Sequence, residues 1–325
     1  MYMAAELLIQ NGDKTYIPVV QDGIEWSTER VGVPGKLVFK VHWDSVLDIT
    51  EGNAVRFRWN DNNIFYGFIF KISRDKDQIL TVTAYDQLRY LKNKETYVYE
   101  NQRADEVVKM IASDFGLLMG ELENTGYKIP SRVEDGQTLF DIIQNALDDT
   151  LLNRATMYVL YDDFGKIALK GLDSMRVGEP GAYLLIDEET GENFSYNSSI
   201  DENTYNQIKL YYDNEKTGRD VYVARDSSNI NNWGVLQYYE ALQEGEDGKT
   251  KADALLKLYN VKQRRLTIEK AFGDPRVRAG SLVGVIMDLG DVKVENYMLV
   301  ETCKHTFSDG YHVMDLKLRG GEFVA

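Results

Sequence analysis

The sequence is short of the residues that usually announce chemistry. A single cysteine, Cys303, excludes any internal disulfide framework, and such sparing use fits a chain that folds in a reducing cytoplasm. Only three histidines are present, His42, His305 and His312. Proline is scarce too, five residues against 21 tyrosines, a balance that favours paired strands and broad contact surfaces. Lys and Arg number 37 against 52 Asp and Glu, and the net charge of −15 is spread along the chain. A surface that tracks phosphates needs clustered Lys and Arg, so specific nucleic-acid binding is not expected. No window approaches 18 apolar residues, and the N-terminal MYMAAELLIQNGDK lacks a basic segment followed by a long apolar one. Neither membrane insertion nor secretory export is expected. Phosphate-binding, dinucleotide-binding, zinc-protease and EF-hand motifs are all missing.

What is present is strand. Phe65 to Ile72 and Ile79 to Tyr85 are rich in β-branched and aromatic residues and flank the polar turn Ser73 to Gln78. Strict alternation puts Phe65 and Ile69 on one face and Tyr66, Phe68, Phe70 and Ile72 on the other, so both faces need cover, as in a closed barrel or at a subunit interface. Gly67 sits mid-strand, where it weakens pairing unless the backbone bends or approaches another chain. The plan returns near the C-terminus. Gly52-Asn53-Ala54-Val55-Arg56-Phe57 is echoed by Gly280-Ser281-Leu282-Val283-Gly284-Val285. Each is followed by a strand starting near a tyrosine, Tyr66 or Tyr297, then by a polar turn and a third alternating strand.

Read in order, residues 1 to 95 form an all-β unit, with a hairpin signal at Asn11-Gly12-Asp13. From Ala104 the period becomes helical. Val107, Val108, Ile111 and Phe115 share a face that Gly116 ends, and Thr138 with Asp141 opens a second helix. This α+β middle unit spans 96–185. Tyr205 to Tyr212 and Asp220 to Ala224 alternate as strands, Ala252, Leu255, Leu256 and Tyr259 have helical spacing, and the second meander follows Arg265. The second barrel is thus expected to be split, 186–232 and 264–325, around a helical insertion at 233–263.

Candidate chemistry is thin. His305 and His312, with Asp309 between them, can be drawn as a metal site across a turn, or as a polar hairpin end. Cys303 and His305 share a strand face, so a thiol–imidazole pair is conceivable, but no orienting group or oxyanion site is legible. Asp148-Asp149 reads as the solvent side of a helix and Asp162-Asp163 as a turn. No catalytic, metal or cofactor residue is assigned.

FYGFIF, its turn and TVTAYDQLRYLKN resemble the first barrel of the XkdQ/YqbQ-like proteins of PBSX-type prophages and R-type tail bacteriocins. These belong to the baseplate hub group of contractile tails, related to phage late control protein D and to the base of type VI secretion spikes. The similarity runs on through both helices, YNQIKLYY, KADALLKLY and DPRVRAGSLVGV…YMLVETCKHTFSDGYHVMDLKL, nearly the whole chain. It implies an α+β, mainly β fold, two similar β-barrels with inserted α/β and helical segments, assembled as a homotrimer. Three chains of two barrels present six alike units, the symmetry needed to dock on a sixfold tube. A negative lumen would also suit passage of DNA. The function expected is a non-enzymatic baseplate hub that joins the tail tube to the central spike. Its partners would be itself, the tube protein, the spike and other baseplate proteins. It would be made in the bacterial cytoplasm and built into a virion or phage-tail-like particle. Phe65, Tyr66, Gly67, Phe68 and Phe70 are the expected interface residues, and Gly67→Val is expected to weaken the trimer more than the fold. The alternatives are a hub with peptidoglycan-hydrolase activity hidden in the middle unit, for the second meander runs to the end of the chain, or a carbohydrate-binding β-module using tyrosine platforms.

Overall fold

The computed structural model describes residues 5–179, 182–214, 218–242, 245–290 and 292–320, an α+β chain that is mainly β. Strands β1 (Ala5–Asn11), β2 (Lys14–Tyr16), β3 (Val20–Glu29), β4 (Lys36–His42), β5 (Ala54–Trp59), β6 (Asn62–Arg74) and β7 (Ile79–Tyr85) pair antiparallel in the order β3-β4-β7-β6-β5-β1-β2. Alternation decides their faces. Val55, Phe57, Trp59, Leu80, Val82 and Ala84 enter one core, while Arg56, Arg58, Thr81 and Thr83 point outward. Asn60 and Asp61, at φ +46° and +65°, make the left-handed pair that a tight hairpin needs. The sheet curls until Phe57 and Trp59 meet Phe307 at ring distances of 5.0 and 5.2 Å. No ladder among the described residues joins β1 or β2 back to β3. Leu7 and Ile9 of β1 share a core with Ile24 and Trp26 of β3 instead.

One detail of β6 departs from strict alternation. Its register against β7 shifts between Ile69 and Lys71, so Phe70 is an extra residue that reverses the faces beyond it. Ile72 therefore packs on the core with Phe65 and Ile69, and not beside Tyr66, Phe68 and Phe70.

The middle unit comprises β8 (Lys94–Gln102), α1 (Ala104–Asp114), β9 (Met119–Leu122), β10 (Ile129–Thr138), α2 (Leu139–Arg154), β11 (Tyr158–Asp162) and β12 (Ile167–Gly171). Gly116 lies just past α1 at φ +63°. Thr138 caps α2, its hydroxyl accepting the Asp141 N–H at 3.1 Å. Val107, Val108 and Ile111 on α1 and Leu139, Ile142, Ile143 and Ala146 on α2 bury against Tyr99 and Ile129 of the antiparallel ribbon β8–β10.

Four short strands follow, β13 (Gly178–Glu179), β14 (Ala182–Tyr183), β15 (Leu185–Ile186) and β16 (Asn193–Ser199). Next come β17 (Gln207–Asn214), β18 (Gly218–Arg225), α3 (Ser227–Trp233), β19 (Gln237–Ala241) and α4 (Gly248–Tyr259). Here the structure differs from the split barrel expected over 186–232 and the helical insertion over 233–263. β17 and β18 take β19 as their third strand and form a separate sheet, β18-β17-β19. The reason is the core they make. Ile208, Leu210 and Ala224 close on Ala252 and Leu255 of α4, which leaves those strands no apolar face for the second half-sheet. Only β15 and β16 of that stretch join it.

That second half contains β20 (Gln263–Phe272), β21 (Leu282–Asp288), β22 (Lys293–Ser308) and β23 (Tyr311–Gly320), with its own core of Leu266, Ile268, Val283, Val285, Val300, Met314 and Leu316. The 16-residue β22 is shared. Up to Leu299 it pairs with β21, and from Thr302 to Phe307 it pairs with β3. The two halves are thus one continuous sheet. No helix among the described residues is long and apolar enough to cross a membrane.

The repeat read from sequence is present in the hydrogen bonds. Gly52 donates its N–H to Ile69 O at 2.8 Å, and Ile69 donates to Asn53 O at 2.9 Å. In the second copy Gly280 donates to Val300 O at 2.7 Å, and Val300 donates to Ser281 O at 2.9 Å. The side chains of Asn53 and Ser281 accept the N–H of Thr50 and Arg278 at 3.0 and 3.1 Å. Gly52 and Gly280 share φ values of +89° and +91°, left-handed backbone that favours glycine. Both copies also carry a register shift after the same residue, Ile69 in β6 and Val300 in β22.

Candidate functional site

Four places hold the residues singled out from sequence. The first is β6. Phe65 is 2% exposed in the first core. A Cβ on Gly67 would lie 2.2 Å from Tyr85 O and 2.6 Å from Phe65 Cζ, so glycine is required here by an approach within one chain. Tyr66, Phe68 and Phe70 line the other face, half-buried. Tyr66 meets Phe164 at 6.0 Å, Phe70 meets Tyr85 and Tyr90 at 5.6 and 6.0 Å, and Arg89 lies 5.3 Å over Phe70. Of the five expected interface residues, two face the interior and three form an aromatic strip that the same chain partly covers.

The second place joins Cys303, His305 and His312. His305 Nε2 lies 3.0 Å from Cys303 Sγ and 2.9 Å from Val277 O, and its Nδ1 lies 2.8 Å from His312 Nε2. A carbonyl only accepts, so His305 Nε2 carries a hydrogen and Nδ1 accepts from His312 Nε2–H. The rings are walled by Trp26, Phe307 and Trp59. Burial pushes the His305 and His312 imidazoles down to about 3 and about 4, and pushes the Cys303 thiol up. The dyad imagined from sequence is thus assembled, but its imidazole nitrogen is already protonated and its thiol is 1% exposed. A nucleophilic cysteine needs the opposite setting. His305 Nδ1 and His312 Nε2 face each other at hydrogen-bond distance, and among the described residues no group of three or more His, Cys, Asp or Glu is arranged so that it could hold a metal ion.

The third place is the junction of the two half-sheets with the middle unit. Asp86 accepts the N–H groups of Gly35 and Leu88 at 2.8 and 3.0 Å. Asp162 accepts that of Gly165 at 2.6 Å. Gln87 ties the middle unit on through Leu118 and Gly165. Arg278 lies 4.4 Å over Tyr161 and 5.6 Å over Trp26. Burial, then the charge of Asp162, raises Asp86 well above the carboxylate range, and burial raises Asp162 to about 6. Sequence reading placed Asp162 in a turn and missed Asp86 and Arg278 as its neighbours, because the three are distant in sequence.

The fourth is a cleft of about 1370 Å³ between α2, α4 and the outer strands of the second half-sheet. Asp148 and Asp149 line it, where helix periodicity put them toward open solvent. Asp149 pairs with Arg132 at 3.4 Å, and burial raises its carboxyl to about 6. Arg30 and Arg319 bracket Glu301 at 2.8 Å each. Tyr238 and Tyr259 also line the cleft, stacked on each other at 5.7 Å, while Tyr211 and Tyr239 stack on an exposed sheet face at 5.0 Å. The tyrosines are therefore divided between a cleft and a flat surface.

The YQBQ-like family matches residues 24–319. The protein YqbQ of Bacillus subtilis, uncharacterised, is 31% identical over 313 residues, 93% of this chain and 92% of its own. The PBSX phage-like element protein XkdQ of the same organism is 29% identical over 316 residues, 94% of each. Among solved structures, the 43 kDa tail protein of prophage MuSo2 from Shewanella oneidensis aligns with a TM-score of 0.68 at 13% identity, covering 96% of this chain and 98% of that one. An Escherichia coli component of the type VI secretion system, described as similar to bacteriophage T4 tail proteins, aligns at 0.56 with 11% identity, covering 98% and 78%. Those two share the fold. By the extent of the family match and by its relatives, this chain belongs to the YQBQ-like family.

Proposed function

We propose that this protein is a structural component of a phage tail or phage-tail-like particle, and within it the hub between tail tube and central spike. The observation that carries the reading is the repeat. Two copies of one meander, matched in hydrogen bonds and register shifts, sit in a single continuous sheet. Three such chains in a ring present six similar faces, and a sixfold tube docks best on sixfold symmetry. Relatives named for phage elements and tails, and a shared fold with a type VI component, support the same assignment. The hub is a homotrimer that contacts the tube on one side and spike and baseplate proteins on the other. Tyr66, Phe68 and Phe70 are proposed to complete their burial against a neighbour. The buried thiol of Cys303 and imidazole of His305 favour a scaffold over a hydrolase.

Light scattering on the purified chain, followed by mixing with purified tail tube protein, tests this. A mass of three chains and a ring seated on tube ends is the expected result. A chain that neither self-associates nor binds the tube would refute the hub.

A further inference from the structure

Two exposed faces end one four-layer stack. The order is sheet β18-β17-β19, helix α4, helix α2, ribbon β8–β10, with α4 packed on β17 and β18 and on α2, and α2 packed in turn on β10. Each outer layer gives its inner face to a helix, so the two outward faces look away from one another.

Their chemistry is complementary. On the three-stranded sheet Tyr211 pairs with Val221, and Lys209 sits between Val223 and Tyr239. Val221, Val223 and Tyr239 are 46, 54 and 51% exposed. This face carries three cations, Lys209 within the apolar centre and Arg219 and Arg225 at its two ends, against one anion, Asp213, in an otherwise acidic chain. Arg219 is held by both Asp213 oxygens at 2.6 and 2.8 Å and lies 4.3 Å over Tyr211. The ribbon offers the converse. Val98 faces Val133 across the ladder, 63 and 65% exposed. Exposed Glu100 lies on one side of that pair and Asp135, bonded to Thr96 at 2.9 Å, on the other.

We propose that the sheet face of one copy of this chain docks on the ribbon face of the next. An apolar centre rimmed by cations meets an apolar pair rimmed by carboxylates, with the valines losing water in the middle. Neither face suits a copy of itself, because its rim charges would meet their own sign. The contact is therefore head-to-tail, the kind that generates rings when its rotation closes. It deepens the ring proposed above and rests on that reading only for the number of copies.

Val98→Cys and Val223→Cys, alone and together, would be treated with a short bismaleimide. Cys303 is 1% exposed and stays silent in the folded chain. The double variant should give covalent species up to three chains, and neither single variant should give that ladder. Glu100→Lys with Asp135→Lys should weaken self-association at least about tenfold at low salt, and adding Lys209→Glu and Arg225→Glu should restore it. All six positions are exposed or at a surface rim, and melting curves of the same samples report the fold. Absence of cross-linking in the double variant, or charge reversal without change in mass, overturns the contact. A protein that still forms trimers and binds tube after reversal sinks this inference and leaves the hub standing, whereas loss of both in the wild type sinks the hub itself.

Discussion

Gly67→Val separates a glycine required by its own fold from one that marks a neighbouring chain. Gly67 lies opposite Val55 in β5 and one residue before Phe68, which pairs with Tyr85 of β7. A Cβ there would approach Tyr85 O to 2.2 Å and Phe65 Cζ to 2.6 Å. The Phe65 ring is 2% exposed and wedged in the core, and the carbonyl belongs to the β7 backbone. Ordinary C···O contact is about 3.3 Å, so the strands must part by roughly 1 Å. Overpacking of that kind costs about 1–3 kcal/mol, and one or two weakened ladder bonds add about 1 kcal/mol each. A loss of roughly 2–5 kcal/mol is expected for valine, and most of it for Gly67→Ala, which keeps the offending atom. Urea unfolding followed by circular dichroism, beside sedimentation at several concentrations, would measure it. The midpoint should fall in both variants, with self-association lost only as far as folding is lost. A valine variant of unchanged stability that no longer associates would refute the reasoning and restore the interface role expected from sequence.

Acid should act on the buried groups in opposite directions. His305 and His312, lowered to about 3 and about 4 by burial, have unfolded values near about 6.5. Between about pH 6.5 and 4 the unfolded chain binds the extra protons, so this contribution to stability falls as pH falls. Asp162, raised to about 6 by burial, binds its proton first in the folded state and gains stability from about pH 6 down to about 4. Asp162→Asn should then match or exceed the wild type near about pH 8 and lose stability more steeply toward about pH 5, read from urea titrations at each pH; parallel curves would contradict this. The two repeat glycines should differ despite equal φ. Gly52→Ala meets nothing within 4 Å, and its left-handed strain should cost about 1–2 kcal/mol. Gly280→Ala also places a Cβ 2.3 Å from Val159 Cγ1 and should cost clearly more in the same titration. Cys303 should react with a thiol reagent only on unfolding, and Cys303→Ala should leave self-association intact; rapid labelling of the folded chain would show that the site opens.

Much of the fold was legible because its local signals are strong. Thr138 with Asp141, Gly116 after an apolar stripe, and the period-2 runs of β5 and β7 each specify an element by themselves. The repeat was legible as well, for a left-handed turn leaves a glycine mark, at Gly52 and Gly280, in both copies. What period alone decides is the face a residue takes, not the strand or helix that covers it. Hence Tyr205 to Tyr212 read correctly as strand but not as part of a separate sheet, since its partner β19 and its cover α4 lie some thirty and more residues on. An extra residue in β6 carries no composition signal, so the turn of Ile72 into the core needed the β7 register to be seen. Asp148 and Asp149 looked solvated because periodicity knows only its own helix, and the cleft wall that encloses them comes from α4 and the second half-sheet. The sequence by itself determined the elements, most of their faces and the mark of the repeat, because period and turn chemistry are local. The shared strand β22, the buried carboxylates beside Arg278 and the outer faces of the four-layer stack were decided by tertiary structure, because each depends on which distant surfaces the chain brings together.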